Sequence, residues 1–216
     1  MTERPQDAAE EKETARIEAF SDGVFAIAIT LLVLELKVPH ELHDGQRLLD
    51  ALIHQWPSYV AFLISFGTIL ILWVNHHRLF TLIRRSDNGL LMFNGLLLLT
   101  ITIVPFPTAL VAEYFRGNDS TTAAAVYSGL AASIAIAYNL LWRHAAGNEG
   151  RLLSRDIDMS VVKGITHQYR FGPLLYLISF GLAFVSVAAS LGVNALLALF
   201  FAAPPPNMTK KPTTGS

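Results

Sequence analysis

Hydrophobic positions in this chain fall in long unbroken runs. Residues 56–74, 89–112, 121–142 and 171–209 contain no Asp, Glu, Lys or Arg, and an apolar stretch over 17–38 precedes them. A run of about 20 apolar residues at 1.5 Å per residue matches the roughly 30 Å hydrocarbon core of a bilayer. The pattern predicts helices at 17–38, 50–80, 89–113, 121–145, 169–190 and 192–204, an all-α membrane protein with six transmembrane helices per subunit. The second is expected to begin in an amphipathic stretch (Leu48, Leu49, Leu52, Ile53) and to bend near Pro57. Pro105 and Pro107 should kink the third, with Thr102 or Thr108 serving the freed backbone groups. The last uncharged run is divided at Ser190-Leu191-Gly192, which leaves a short sixth span.

Composition agrees with this layout. Hydrophobic residues make up 52% of the 216 positions and charged ones only 15%, against about a quarter in soluble domains. The six spans place thirteen of the sixteen Lys and Arg residues on one side. That side is cytoplasmic by the positive-inside rule, and an even span count puts both termini there. Residues 1–15 and 205–216 read as disordered cytoplasmic tails and 16–204 as one transmembrane domain, without an internal repeat. The first apolar segment has a mainly acidic flank (Glu10, Glu11, Glu13) and no small-residue cleavage site, so it reads as a span and not a signal peptide. With no cysteine, disulfides, thiolate nucleophiles and sulfur-ligated metals are excluded. A net charge of −1 without a basic stripe argues against nucleic-acid binding.

The first span carries the candidate chemistry. At about 100° per residue, Ile27, Thr30, Leu31 and Leu34 share one stripe, which Phe20 and Gly23 extend. Ser21 and Asp22 fall on the rear half and point into the bundle. A carboxylate at membrane depth is costly unless paired or wetted. Its expected partners are Arg16, the "NHHRLF" end of the second helix (Asn75 to Phe80) and Asn94 early in the third. The reading favoured is a structural knot tying the first helix to the second and third; the alternative is a titrating or ion-contacting Asp22. Of the adjacent histidines only one can face inward, and His77 is expected in the knot.

These residues carry a resemblance. "RIEAFSDGVFAIAITLLVLELKVP", with Arg16, Phe20, Ser21 and Asp22 in an Arg-x-x-x-Phe-Ser-Asp pattern, resembles the first-helix signature of the transmembrane protein 175 family, the lysosomal potassium channels and their prokaryotic relatives. "WVNHHRLF" (Trp73 to Phe80) is similar to the end of that family's second helix, and the six-span order covers most of the chain. The resemblance implies a potassium-preferring cation channel in a prokaryotic plasma membrane, a homotetramer in which four first helices surround the pore. Permeant potassium, the lipid bilayer and further copies of the chain would be its partners, with no cofactor. It also implies a constriction of aliphatic first-helix side chains, here Ile27, Leu31 and Leu34, the stripe already reached from helical angles. Thr30 could add a ring of hydroxyls. A narrow apolar ring makes each ion shed water, and potassium holds its water less tightly than sodium.

Other readings are weaker. "HELHD" (His40, His43, Asp44) has metal-ligand spacing but reads as a polar turn in a short external loop, so no metal site is expected. Glu35 could draw cations to the outer mouth or stand as a solvated interfacial charge. No Gly-x-Ser-x-Gly or His-Glu-x-x-His pattern supports an enzyme. The rival function is a proton-coupled transporter using Asp22 and His77, although such proteins usually show internal repeats and broken helices.

Overall fold

In a computed structural model, residues 5–39, 47–147 and 150–203 are described. His40, His43 and Asp44 fall outside them, as does the segment 205–216. The elements are α1 (Pro5–Leu31) running into a 3-10 turn at Leu32–Glu35, α2 (Leu48–His54), α3 (Trp56–Leu82), α4 (Asn88–Ile103), α5 (Pro105–Tyr114), α6 (Ser120–Ala146), α7 (Met159–Arg170), α8 (Gly172–Leu182) and α9 (Val187–Ala202). Among the described residues, four stretches are long and apolar enough to cross a membrane: Lys12–Glu35, Trp56–Leu82, Asn88–Tyr114 and Ser120–Ala146. α8 and α9, with 11 and 16 residues, form a shorter apolar hairpin.

Three boundaries differ from the sequence expectation, each for a local reason, and α7 (Met159–Arg170) is a helix that the expectation did not place. α1 is helical from Pro5, so much of the segment expected as a tail continues the first helix. The amphipathic stretch 48–54 is a separate helix, broken from α3 at Gln55 with Pro57 in the first turn of α3, where a missing N–H costs nothing. The last uncharged run turns at 183–186 and not at Ser190-Leu191-Gly192. Ser186 supplies the stop signal: its extended backbone and side chain cap α9, with Oγ accepting from the Ala189 amide.

The proline pair breaks the third span between α4 and α5. Pro105 has no N–H to give Ile101 O, and the Val104 N–H takes that carbonyl instead at 3.1 Å. Thr108 Oγ1, buried at the break, lies 2.8 Å from both Val104 O and Ser65 Oγ. α6 packs against α4, α5, α7, α8 and α9; in its first half the buried residues are all small, Ala123, Ala124, Ala125, Ser128 and Ala132, which lets neighbouring backbones approach closely.

Side-chain contacts place Glu18 of α1, the end of α3, the start of α4 and the ends of α6 and α9 at one end of the bundle. Glu18 meets His77, and the Arg78 guanidinium donates to Ala202 O at the end of α9. Asp87 N-caps α4 through the Leu90 amide (2.8 Å) and also binds His144 (2.8 Å) and Arg151 (2.7 Å). Gly89 makes room for this, since a Cβ there would lie 2.4 Å from His144 Cε1. Partial burial pushes the Asp87 carboxyl up, but the Leu90 amide, His144 and Arg151 outweigh it and hold the group below 3.8. A carboxylate with a lowered pKa contributes stability that is complete above the ordinary carboxylate range and disappears as pH falls through it. Thermal midpoints of wild type and Asp87→Asn should therefore differ at pH 7 and converge as the pH drops below 3.8.

Candidate functional site

α1 has two unlike faces. On its inner face Ser21, Phe25, Ala28 and Leu32 are almost wholly buried. They recur at intervals of three or four residues, the spacing of one helical stripe. On the other face Phe20, Gly23, Ile27, Thr30, Leu31 and Leu34 are all exposed, Ile27 by 60% and Leu34 by 69%. The stripe expected from helical angles is thus one continuous open face of the single chain. Thr30 Oγ1 donates to Ile27 O at 2.9 Å. Its proton is spent on the helix backbone, and the oxygen lone pairs remain as acceptors on the open face.

Behind the stripe, α1 is tied to α3 and α4 by side-chain hydrogen bonds. Ser21 Oγ donates to Ile17 O (2.8 Å) and accepts from Asn94 Nδ2 (2.9 Å), while Asn94 Oδ1 stands 3.0 Å from His76 Nε2. Because Asn94 offers its carbonyl there, the imidazole proton sits on Nε2 and Nδ1 is a bare acceptor without a partner. His76 is fully buried between Phe25 and Phe80, stacked on Phe80 at 4.3 Å. Asp22 accepts from Trp73 Nε1 at 2.8 Å, and Glu18 lies 2.7 Å from His77 Nδ1. Glu18, Ser21 and Asp22 stand at i, i+3 and i+4, so one side of α1 presents them together.

Ser21, Asp22 and Asn94 therefore occupy the α1–α3–α4 seam expected of them. One residue is exchanged: the inward histidine is His76, whereas His77 sits in the more exposed pair with Glu18. The buried face of α3 explains the exchange. Ser65, Ile69, His76, Leu79 and Phe80 are buried, and steps of three, four or seven from Ile69 reach position 76 and not 77. Arg16 is exposed and takes no part in these bonds. Trp73, His76 and Glu18 are partners that the sequence does not single out, although all three lie inside the two quoted motifs.

A second polar cluster had no counterpart in the sequence reading. Ser179 and Ser190 each donate to the other's carbonyl (2.9 and 2.8 Å), and Ser128 lies 2.8 Å from the Ser190 hydroxyl. Asn194 Nδ2 donates to Ser128 Oγ at 2.8 Å. These bonds close α8 and α9 on each other and on α6. At the far end of α1, Glu35 borders a shallow cleft with Lys37 and Glu113, which pair at 3.4 Å. Among the described residues no group of three His, Cys, Asp or Glu is placed to hold a metal.

Long apolar helices tied to one another by hydrogen bonds between buried polar side chains define a multi-pass helical membrane protein. The family model for the endosomal/lysosomal potassium channel TMEM175 matches residues 16–105, the span that holds the stripe and every residue of the α1 seam. The chain is 55% identical to a potassium channel of Chamaesiphon minutus over 91% of its own length and 97% of that protein's. It is 44% identical to a potassium channel of Streptomyces collinus over 88% of its length and 91% of the other. It belongs to the TMEM175 family. Its fold superposes on the crystal structure of a lysosomal potassium-selective channel TMEM175 homologue from Chamaesiphon minutus with a TM-score of 0.80, at 54% identity, covering 88% of this chain and 97% of that one. The Gallus gallus endosomal/lysosomal proton channel TMEM175 is 39% identical over 46% of this chain and 21% of its own.

Proposed function

We propose that the chain is a potassium-preferring cation channel of a prokaryotic plasma membrane, in which four copies arrange their α1 stripes around one pore. The observation that carries this is the division of α1. The face bearing Ile27, Thr30, Leu31 and Leu34 is open, while the opposite face is held by buried hydrogen bonds to α3 and α4. A helix fixed from behind can present side chains at a set radius, which an apolar constriction requires. The similarity to two bacterial proteins named potassium channels supplies the ion. Asp22, Ser21, His76, His77 and Asn94 then act as positioning residues for the pore helix, and no cofactor is needed.

In this arrangement the α8–α9 hairpin adds two shorter passes to the four long ones, and residues 16–204 form the transmembrane domain. Both ends of the chain face the cytoplasm. A reporter fused after Ser216 and one inserted between α6 and α7 should both read cytoplasmic; a periplasmic reading from either removes the six-pass topology. Asp22 and His77, the pair a proton-coupled transporter would use, are bound to different partners, Trp73 and Glu18. Purified protein in liposomes should carry potassium in proportion to the imposed membrane potential, with no proton gradient required. Flux that stops when the proton gradient is removed would establish the transporter in its place.

A further inference from the structure

We propose that the cavity between α3, α6, α8 and α9 is a binding site for one small neutral molecule with an apolar body and a single hydroxyl group. Its volume is about 70 Å³, several times the roughly 10–15 Å³ that one water needs on that measure. Thr68, Ile71, Leu72 and Asn75 line it from α3. Recurring at i, i+3, i+4 and i+7, they share one face of that helix, distinct from the one on which Trp73 and His76 meet α1. The site therefore stands independently of the channel reading.

The lining selects the ligand. None of the described lining residues is charged, so an ion would lose its hydration there without a counter-charge. Several polar groups on the wall are already committed. Tyr138 Oη donates to Leu72 O, Asn75 Nδ2 donates to Phe201 O at 3.0 Å, and Asn75 Oδ1 accepts from Arg78. Three are not. The hydroxyls of Tyr169 and Tyr176 make no hydrogen bond to any described residue. Asn194 is only 5% exposed, and its Oδ1 is buried without a partner. Buried polar groups in folded proteins are nearly always satisfied; Asn194 Oδ1 is one that is not, and with two tyrosine hydroxyls on the same lining it calls for a guest with donor and acceptor capacity. A hydroxyl supplies both. The remaining wall is apolar and partly aromatic: Tyr176 stacks on Phe201 at 6.2 Å with 20° between the rings, and Tyr169 meets the same ring at 62°. Such a wall suits a small aromatic or branched aliphatic body.

The test uses the purified full chain in lipid nanodiscs with a diazirine-bearing benzyl alcohol as photoprobe and benzyl alcohol as competitor. Labelling should be saturable, should concentrate in the segments 130–138 and 194–201, and should be lost in Ala131→Trp, which fills the void from α6. In Tyr176→Phe, which keeps the ring and removes one hydroxyl, roughly threefold to tenfold more competitor should be needed, the usual worth of one hydrogen bond. Labelling that competitor does not displace, or that spreads over the exposed face of α4, identifies partitioning into lipid and overturns the proposal. So does undiminished labelling of a folded Ala131→Trp. If that variant fails to fold, the Tyr176→Phe competition decides alone, and an unchanged half-point overturns the site.

Discussion

Asn94→Leu should collapse the thermal stability of the protein, whereas His77→Ala should leave the unfolding midpoint nearly unchanged. Asn94 is 3% exposed and bridges His76 on α3 to Ser21 on α1 with both ends of its amide. Leucine has a similar volume, so the substitution removes two hydrogen bonds without opening a large cavity. It strands an imidazole N–H and removes a donor to a buried hydroxyl, at about 1–3 kcal/mol for each orphaned group. Inter-helix hydrogen bonds inside membranes average only about 0.6 kcal/mol in net worth, but that figure describes groups able to find other partners. His76, enclosed by Phe25 and Phe80, has Asn94 as its side-chain hydrogen-bond partner among the described residues. A loss of a few kcal/mol is a large share of a typical stability of about 5–15 kcal/mol. The His77–Glu18 pair is partly exposed, and such pairs contribute about 0–1 kcal/mol. Fluorescence-detected size exclusion after heating separates the two variants. Equal midpoints would show that the seam does not hold the bundle together.

Ile27→Asn should change ion preference more than any other single substitution. If four copies of Ile27 form a tight ring, their bulk sets the radius and their apolarity sets how much water an ion must lose. Asparagine widens and wets the layer. The barrier falls more for sodium, which has the larger hydration to shed, so conductance rises while selectivity declines. Leu31 and Leu34, further along the same open face, should give weaker versions of the effect. Ile29 is half-buried against the main core, so Ile29→Val serves as a control with near-normal permeation. The check is the bi-ionic reversal potential of each variant. A sodium-to-potassium ratio unmoved by Ile27→Asn but altered at Thr30 would transfer the filter to the threonine oxygens.

The long spans were legible because bilayer thickness imposes a length and a lack of charge that few other structures require. The two faces of α1 were legible too, since a regular 3.6-residue repeat turns a sequence into directions. What escaped the sequence depends on neighbours. His76 and His77 are chemically identical, and only the phase set by Ile69 and Phe80 chooses between them. Ser186 and Ser190 are both plausible helix stops. Ser190 is drawn inside by Ser128 and Ser179, residues far away in the chain, which leaves Ser186 as the cap. The cluster around Asn194 carried no motif at all, because one serine on each of three helices acquires meaning only once the helices are packed.

In the function proposed above, the open stripe of α1 lines a potassium-preferring pore. Single-channel recording of the wild-type protein in planar bilayers, with potassium on one side and sodium on the other, tests it most directly. Discrete unitary currents at symmetrical pH, with a reversal potential toward the potassium equilibrium potential, are expected. Currents reversing near zero, or transport that appears only with a proton gradient, would contradict it.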